Sequence, residues 1–495
     1  MAACFVKCVI ISIMKPVRKK SGSSATSNGG TDAASKGGTD AASKGDSATD
    51  AGGAPVASNG DSSTDAGGAP VASNGGSSVA SKGGSDVASN GGSDADAGGA
   101  LQASTGGAPP ASKKTLIKGN VAIAEAAVRA GCDFYAGYPI TPQNEIPEYM
   151  SRRLPEAGGV FIQAESEIAA INMVYGAAAA GVRAMTSSSS PGISLKLEGI
   201  SMLAAAELPA VIVNVQRGGP GLGNISGAQA DYFQAVKGGG HGDYRMLVYA
   251  PYNVQEMWDL TMLAFDRADL YRNPVMILAD GILGQMMEPF TPTPYVRPEL
   301  PEKPWALTGC KGRKPNVIRT LYMDDGHLER INNGLQEKYA LMKRREVLCQ
   351  TQTVEDAEVV IVAFGSAARI CWSAVKELRR AGIKAGFFRP ITLFPFPENE
   401  IRALAEGGPS GGGRAGVEPS RVEPSGVELS RCGTSGRIFL VVELNAGQMV
   451  EDVRLAVQGR AEVSIYGRPG GVVPTPVELF RVISRAYNKM AREKK

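Results

Sequence analysis

The stretch Tyr135–Ile146, YAGYPITPQNEI, passes from an apolar, aromatic run into a threonine set between two prolines, and then into polar and acidic residues. An apolar run ended this abruptly reads as a buried strand that stops at a turn. Thr141 before Pro142 suits a helix start, because threonine caps and proline is tolerated in the first helical turn. Pro147 limits that first run, so a short turn followed by a second start is an equal reading. Thr141 itself has two readings. It is a cap alone, or a held hydroxyl beside free backbone N–H groups that seats an anion such as a substrate carboxylate.

Working outward, strand and helix signals alternate. GNVAIAEAAVRAG (119–131) predicts a helix, with Asn120 as N-cap and Gly131 at the stop. Strands are expected at GVFIQA, RAMTSS, PAVIVNVQR, RMLVYAP and PVMILAD. Helices are expected at ESEIAAINMVYGAAAAG, SLKLEGISMLAAAE and NVQEMWDLTMLAFDRADLYRN. Apolar strands alternating with helices imply a parallel sheet covered on both faces. Ligands then bind beyond the carboxyl ends of the strands, which is where Thr141, Glu165 to Glu167, Ser187 to Ser190 and Arg217 fall. Residues 291–353 read as a Pro-rich, then charged, connecting segment with one helix, HLERINNGLQEKYALMKRRE. A second α/β unit is expected over 354–495, carrying a Gly/Pro/Ser-rich loop insertion at 406–436.

Residues 1–113 are set apart by composition. GGTDAASK occurs at Gly29 and Gly37, and DAGGAPVASNG at Asp50 and Asp65. Such repeats carry too little apolar surface to offset the entropy of ordering, so a disordered tail is expected. In MAACFVKCVIISIMKPVRKK the main basic cluster follows the apolar run, the reverse of a secretory signal, and the run is short for a membrane span. It reads as an extension with no role in the fold, with a cleaved organelle-targeting peptide as the alternative. No later run is long and apolar enough to cross a bilayer, so no membrane association is expected. A net charge of +3 gives no field for nucleic acid. The seven cysteines are scattered without a CxxC pair, which argues against disulfides or an iron–sulfur cluster in this chain and fits a reducing cytoplasm. His241 and His327 are the only histidines, far apart, so no metal site is expected.

The candidate chemical residues each carry a plain alternative. Glu165 and Glu167 flank Ser166 after a strand. They are helix-start carboxylates in solvent, or one is an acid buried against the Ala-rich helix that follows, able to hold a proton near neutrality. Arg217 ends an apolar strand. It binds a carboxylate through paired hydrogen bonds or a neighbouring acid through a salt bridge. The hydroxyls of TSSSSPG (186–192) cap a helix or bond a ligand. The loop GGPGLGN (218–224) does not deliver GxGxxG, there is no Walker A sequence, and the serines lack a GxSxG context. His241, alone in a glycine loop, reads as structural.

GNVAIAEAAVRAGCDFYAGYPITPQNEIPEYM, QAESEIAAINMVYGAAAAG, TSSSSPGISL, VNVQRGGPGLG and VMILADG together resemble the alpha subunit of 2-oxoacid:ferredoxin oxidoreductases, the 2-oxoisovalerate (branched-chain) type in particular. The resemblance runs from about Leu116 to the C-terminus, apart from the loop insertion. It implies an α/β fold: a thiamine-diphosphate-type pyrimidine-binding domain with a parallel sheet over 114–290, then a transketolase C-terminal-like domain over 354–495. The implied activity is oxidative decarboxylation of a 2-oxoacid with coenzyme A to acyl-CoA and carbon dioxide. Glu167 would face the aminopyrimidine ring of thiamine diphosphate as the catalytic acid. Thr141 and Arg217 would hold the substrate carboxylate, and Pro139 and Ser189 would line the cofactor. The GDG signature that binds the Mg-diphosphate is absent downstream of the tail. A beta subunit is therefore expected to bring that half. Gamma and ferredoxin-like subunits would carry the iron–sulfur clusters, with ferredoxin as acceptor. The alternatives are a non-catalytic binding or assembly subunit of such a complex, or a 2-oxoglutarate- or pyruvate-specific homologue. A flavin or NAD enzyme is disfavoured by the failed glycine fingerprint.

Overall fold

A computed structural model describes residues 114–407 and 436–493. The tail 1–113, and most of the insertion 406–436, lie outside the described residues. The strands, in chain order, are β1 (Thr115–Lys118), β2 (Phe134–Gly137), β3 (Val160–Gln163), β4 (Ala184–Ser188), β5 (Ala210–Gln216), β6 (Leu247–Tyr249), β7 (Pro274–Asp280), β8 (Met287–Phe290), β9 (Cys349–Gln352), β10 (Val359–Val362), β11 (Ala385–Pro390), β12 (Thr392–Phe394), β13 (Ile438–Glu443) and β14 (Glu462–Gly467).

Seven strands form the main sheet, in the order β12-β6-β7-β5-β4-β2-β3. Every pair is parallel except β12 with β6. The central strands β2, β4, β5 and β7 are buried along their whole length, as runs such as AVIVNVQ and PVMILAD require when helices cover both faces. The chain passes from β2 to β3 on one side, then crosses back to lay β4 on the other side of β2. The crossover is made by the helix Glu167–Ala179. A switch of direction between β2 and β4 opens a crevice at the carboxyl ends of those strands. A second, five-stranded sheet has the order β14-β13-β10-β11-β9, with β9 antiparallel to β11. Strands are exchanged between the two halves. β9, from the segment 291–353, joins the second sheet, and β12, from 354–495, closes the edge of the first. Both sheets belong to one compact unit.

Asn120 is not the cap that the sequence suggests. β1 pairs antiparallel with β8, which brings the helix Gly119–Arg129 against residues 283–286, and Gly119 N–H donates to the Met286 carbonyl at 3.0 Å. A Cβ at position 119 would lie 2.1 Å from the Leu283 carbonyl oxygen, so only glycine opens the helix there. Lys118 takes the cap position without a side-chain bond. Asn120 moves one place inside and reaches across to the loop after β2. Neither β1 nor β8 shows an alternation that sequence reading could have used.

Arg183 anchors the amino-terminal end of β4, away from the crevice. It sits just before β4 and is almost fully buried. Its guanidinium donates to Asp266 and Asp269 at 2.8 Å each, to the Ala130 carbonyl at 2.5 Å and to the Tyr295 hydroxyl at 2.9 Å. Removing it strands two buried carboxylates, of which Asp269 keeps Lys303 at 2.6 Å. Arg183→Met is expected to lower the unfolding free energy by about 3–5 kcal/mol, the range for breaking a buried ion pair from one side. Chemical denaturation of the full chain measures it.

Candidate functional site

The loop that leaves β2 is clamped from three directions. Arg217, the residue after β5, donates to the Thr141 carbonyl at 3.0 Å and to the Leu222 carbonyl at 3.0 Å. Asn120 and Gln285 each donate to the Pro142 carbonyl at 2.8 Å. Ser187 donates to Gln143 at 2.5 Å while sharing a 2.6 Å bond with the Tyr135 hydroxyl, which ties the loop to β4. The next helix begins only at Glu145, with Asn144 in the cap position and no side-chain cap bond. Thr141 is therefore not a cap. Its hydroxyl accepts one long bond, 3.4 Å, from the exposed Asn144 side chain, and is otherwise uncommitted. Pro139 lies exposed in the same loop.

Glu165 and Glu167 are sorted by the turn between them. Glu165 points to solvent. Ser166 caps the crossover helix, its hydroxyl accepting from Ala169 N–H at 3.2 Å. Glu167, the first helical residue, is 6% exposed. The crossover carries it over β2 to the start of the helix Ser190–Ala205. There Gly192 lets it close in: a Cβ on Gly192 would lie 2.5 Å from Glu167 Oε1 and 2.1 Å from Ser188 Oγ. Among the described residues no hydrogen-bond donor and no cation within ion-pair distance engages this carboxylate. The hydroxyls of Ser188 and Ser189 beside it are also buried without partners, although buried polar groups are nearly always satisfied.

Arg217 is the matching feature on the other side of the crevice. It is 9% exposed, its Nε is buried without a partner, and among the described residues no carboxylate pairs with it. The salt-bridge alternative is thus not what the structure holds. The guanidinium keeps a full charge balanced only by two carbonyl dipoles, an environment that favours an incoming anion. Ser190 supports this corner: its hydroxyl donates to Asp231 at 2.6 Å and accepts from Arg217 N–H at 3.0 Å. Burial raises the Asp231 carboxyl above its ordinary range, opposed by the bonds from Ser190 and Asn214. The glycine loop folds back on the chain itself, with Asn224 donating to the Gly470 carbonyl at 2.9 Å. It leaves Leu222 and Ile225 exposed. His241 is exposed, and its carbonyl accepts from Ser201, a structural role.

Sequence reading missed Lys196, which is fully buried on the same helix as Gly192. Burial pushes its ammonium down to about 7, while the charge of Glu167 works in the opposite direction. The signal was present in KLEG, where Lys196 and the exposed Glu198 are the charged residues of a helix otherwise built from apolar, small and hydroxyl side chains. Among the described residues no group of three or more His, Cys, Asp or Glu is placed to hold a metal ion, and no helix is long and apolar enough to cross a membrane.

Gly192→Ala tests the contact directly. The added methyl must displace Glu167 or Ser188, so activity of the assembled protein is expected to fall about 100-fold, the cost of misplacing a reacting group by around 1 Å. The far-UV circular dichroism spectrum should remain unchanged. Turnover within threefold of wild type would show that the carboxylate does not depend on this gap.

Residues 125–346 match the family described as pyruvate flavodoxin/ferredoxin oxidoreductase, thiamine diP-bdg, and residues 357–409 match pyruvate:ferredoxin oxidoreductase core domain II. The chain is 51% identical over 378 residues to the ketoisovalerate oxidoreductase subunit VorB of Methanothermobacter marburgensis, covering 76% of this chain and 98% of that one. It is 37% identical over 404 residues to the 2-oxoglutarate synthase subunit KorA of Methanothermobacter thermautotrophicus, covering 75% and 98%. A solved structure of 2-oxoglutarate:ferredoxin oxidoreductase from Magnetococcus marinus, with 2-oxoglutarate, coenzyme A and succinyl-CoA bound, is similar at a TM-score of 0.62 and 26% identity. That match covers 76% of this chain and 65% of the other, so the chain spans just under two thirds of that polypeptide's length. The chain belongs to the 2-oxoacid:ferredoxin oxidoreductase family, as a subunit that carries the family's thiamine-diphosphate-binding domain.

Proposed function

We propose that this chain supplies the pyrimidine-side half of a thiamine-diphosphate site in a 2-oxoacid:ferredoxin oxidoreductase, and that its substrate is a branched-chain 2-oxoacid such as 2-oxoisovalerate. The observation that carries the reading is the Glu167 carboxylate, nearly buried yet given no donor by the protein. Such a group is costly to keep unless a ligand engages it. The site fits one end of the cofactor. Glu167 and the unpartnered Ser188 and Ser189 hydroxyls offer polar groups to a ring held against Gly192. Among the described residues no cluster is placed to hold a metal ion, which supports a partner subunit bringing the Mg-diphosphate half.

Thiamine diphosphate, when bound, supplies a carbon nucleophile for the 2-oxo group and a place for the electrons that decarboxylation leaves behind. The chain's own residues do the rest of what concerns it. Glu167, nearly buried against Gly192, would hold or release a proton at its carboxylate toward the bound ring. Arg217, with its unpaired charge, and the free Thr141 hydroxyl hold the substrate carboxylate across the crevice, and Pro139 and Ser189 line the cofactor side. The clamps on the Thr141 and Pro142 carbonyls set this geometry before the substrate arrives. Gamma and ferredoxin-like subunits would supply the iron–sulfur clusters that pass electrons to ferredoxin, and coenzyme A would take the acyl group. The branched-chain substrate is supported by the higher identity to the ketoisovalerate subunit than to the 2-oxoglutarate subunit, 51% against 37%. A cytoplasmic complex is consistent with the scattered cysteines.

In the complex reassembled with its partner subunits, Glu167→Gln is expected to cut 2-oxoacid-dependent acceptor reduction by at least about 100-fold, the lower range for loss of a general acid–base group, with assembly intact by gel filtration. Retained turnover would favour an assembly role for this chain. Arg217→Lys keeps the charge but loses the fork. It is expected to raise the KM for 2-oxoisovalerate about tenfold to a hundredfold, the worth of a charged hydrogen bond, with a smaller change in kcat. An unchanged KM would remove Arg217 from carboxylate binding.

A further inference from the structure

Lys196 lies one helical turn beyond Gly192, on the same face of the helix Ser190–Ala205. Its side chain is fully buried. Nζ donates to Thr186 Oγ1 at 2.6 Å and to the Ser187 carbonyl at 3.4 Å, both on β4 and both uncharged. A buried ammonium without a paired carboxylate is costly, and among the described residues none lies within ion-pair distance of it. The charge that acts on it is that of Glu167, on the crossover helix. The other titratable groups at this edge are engaged elsewhere. Tyr135 is bonded to Ser187. Asp231 accepts from Ser190 and Asn214, and Asp280 accepts from the N–H groups of Ile282, Leu283 and Ser366. Arg217, held by the Thr141 and Leu222 carbonyls, also lacks a carboxylate partner, and its backbone N–H meets Ser190 at the start of this helix. Of the two buried cations it is Lys196 that feels the Glu167 charge, one turn beyond the glycine against which that carboxylate packs.

We propose that Lys196 is a positioning residue for Glu167: held from behind by the hydroxyl and carbonyl of β4, it stabilises the Glu167 carboxylate against Gly192. The inference rests on the role given to Glu167 above and deepens it. A lysine held near the boundary between its two states makes the proton inventory of the site depend on two coupled groups rather than one. Loss of the Lys196 proton withdraws support from the Glu167 charge, and loss of the Glu167 charge makes the ammonium harder to keep.

The sign of the effect on stability is fixed by linkage. The Lys196 ammonium is depressed from its ordinary 10.5 to about 7 by burial, with Glu167 opposing. Between those two values the unfolded chain binds more protons than the folded one, so this residue's contribution makes stability rise with pH through that window. Measured on the full chain without cofactor or partners, the thermal midpoint of wild type relative to Lys196→Met should rise from pH 7 to pH 9. In a Glu167→Gln background the same difference should begin to rise at a lower pH, by about one unit, since an opposing charge has been removed. This arm needs no turnover. If the Gln background leaves the onset unchanged, Lys196 does not sense Glu167 and the proposal falls, whatever the activity does. In the assembled enzyme, Lys196→Met should move the acid limb of the kcat–pH profile to higher pH by about one unit, and Lys196→Arg should restore it. Superimposable profiles for Lys196→Met and wild type would also overturn the proposal. If the thermal coupling is present but Glu167→Gln retains turnover, the catalytic reading of Glu167 fails while the coupling stands.

Discussion

The rest of the site depends on one missing methyl group. Gly192 lets the helix Ser190–Ala205 start directly against the crossover helix, with the Glu167 carboxylate in the space a side chain would take. Because the crossover runs over β2 from β3 to β4, this contact falls at the switch point of the sheet, where backbone directions diverge and a crevice opens. A larger residue at 192 would push an acid that takes no hydrogen bond from the described residues. The topology explains why the acid is over β2, and the glycine explains why it can be buried there.

Around that contact the chain spends its hydrogen bonds unevenly. The carbonyls of Thr141 and Pro142 are held by three side chains from three different elements. By contrast, the hydroxyls of Ser188 and Ser189 are buried without partners among the described residues, beside the nearly buried Glu167. Interiors rarely leave polar atoms unserved. A rigid frame around under-satisfied groups is what a preorganised site looks like before its ligand is added. The exposed apolar side chains Ile168, Leu195, Leu222 and Ile225 lie on elements that flank this crevice, in keeping with a site completed by another chain.

Much of the main sheet was legible, because AVIVNV and PVMILAD are apolar over their whole length and only a strand covered on both faces asks for that. The places of Glu167, Arg217 and Thr141 were legible for a related reason, since each follows a strand; the roles proposed for them came from the family resemblance. The parts that were not legible depend on distant pairing. Nothing in TLIK or MEPF announces that β1 and β8 pair, and that pairing decides why Gly119, not Asn120, opens the helix. The exchange of β9 and β12 between the sheets is likewise a matter of tertiary contact, since neither strand shows a period of its own. Lys196 was passed over because a lone lysine in a helix usually reaches solvent. Here Thr186 and Ser187 lie beneath it, and only the packed structure reveals that.

The central claim is that this chain holds the ring end of thiamine diphosphate but cannot grip the cofactor alone. Calorimetric titration of thiamine diphosphate with Mg²⁺, into the full chain by itself and into the chain assembled with its partner subunits, tests this most directly. Saturable binding confined to the assembly is the expected result. Stoichiometric, tight binding by the isolated chain would contradict the account.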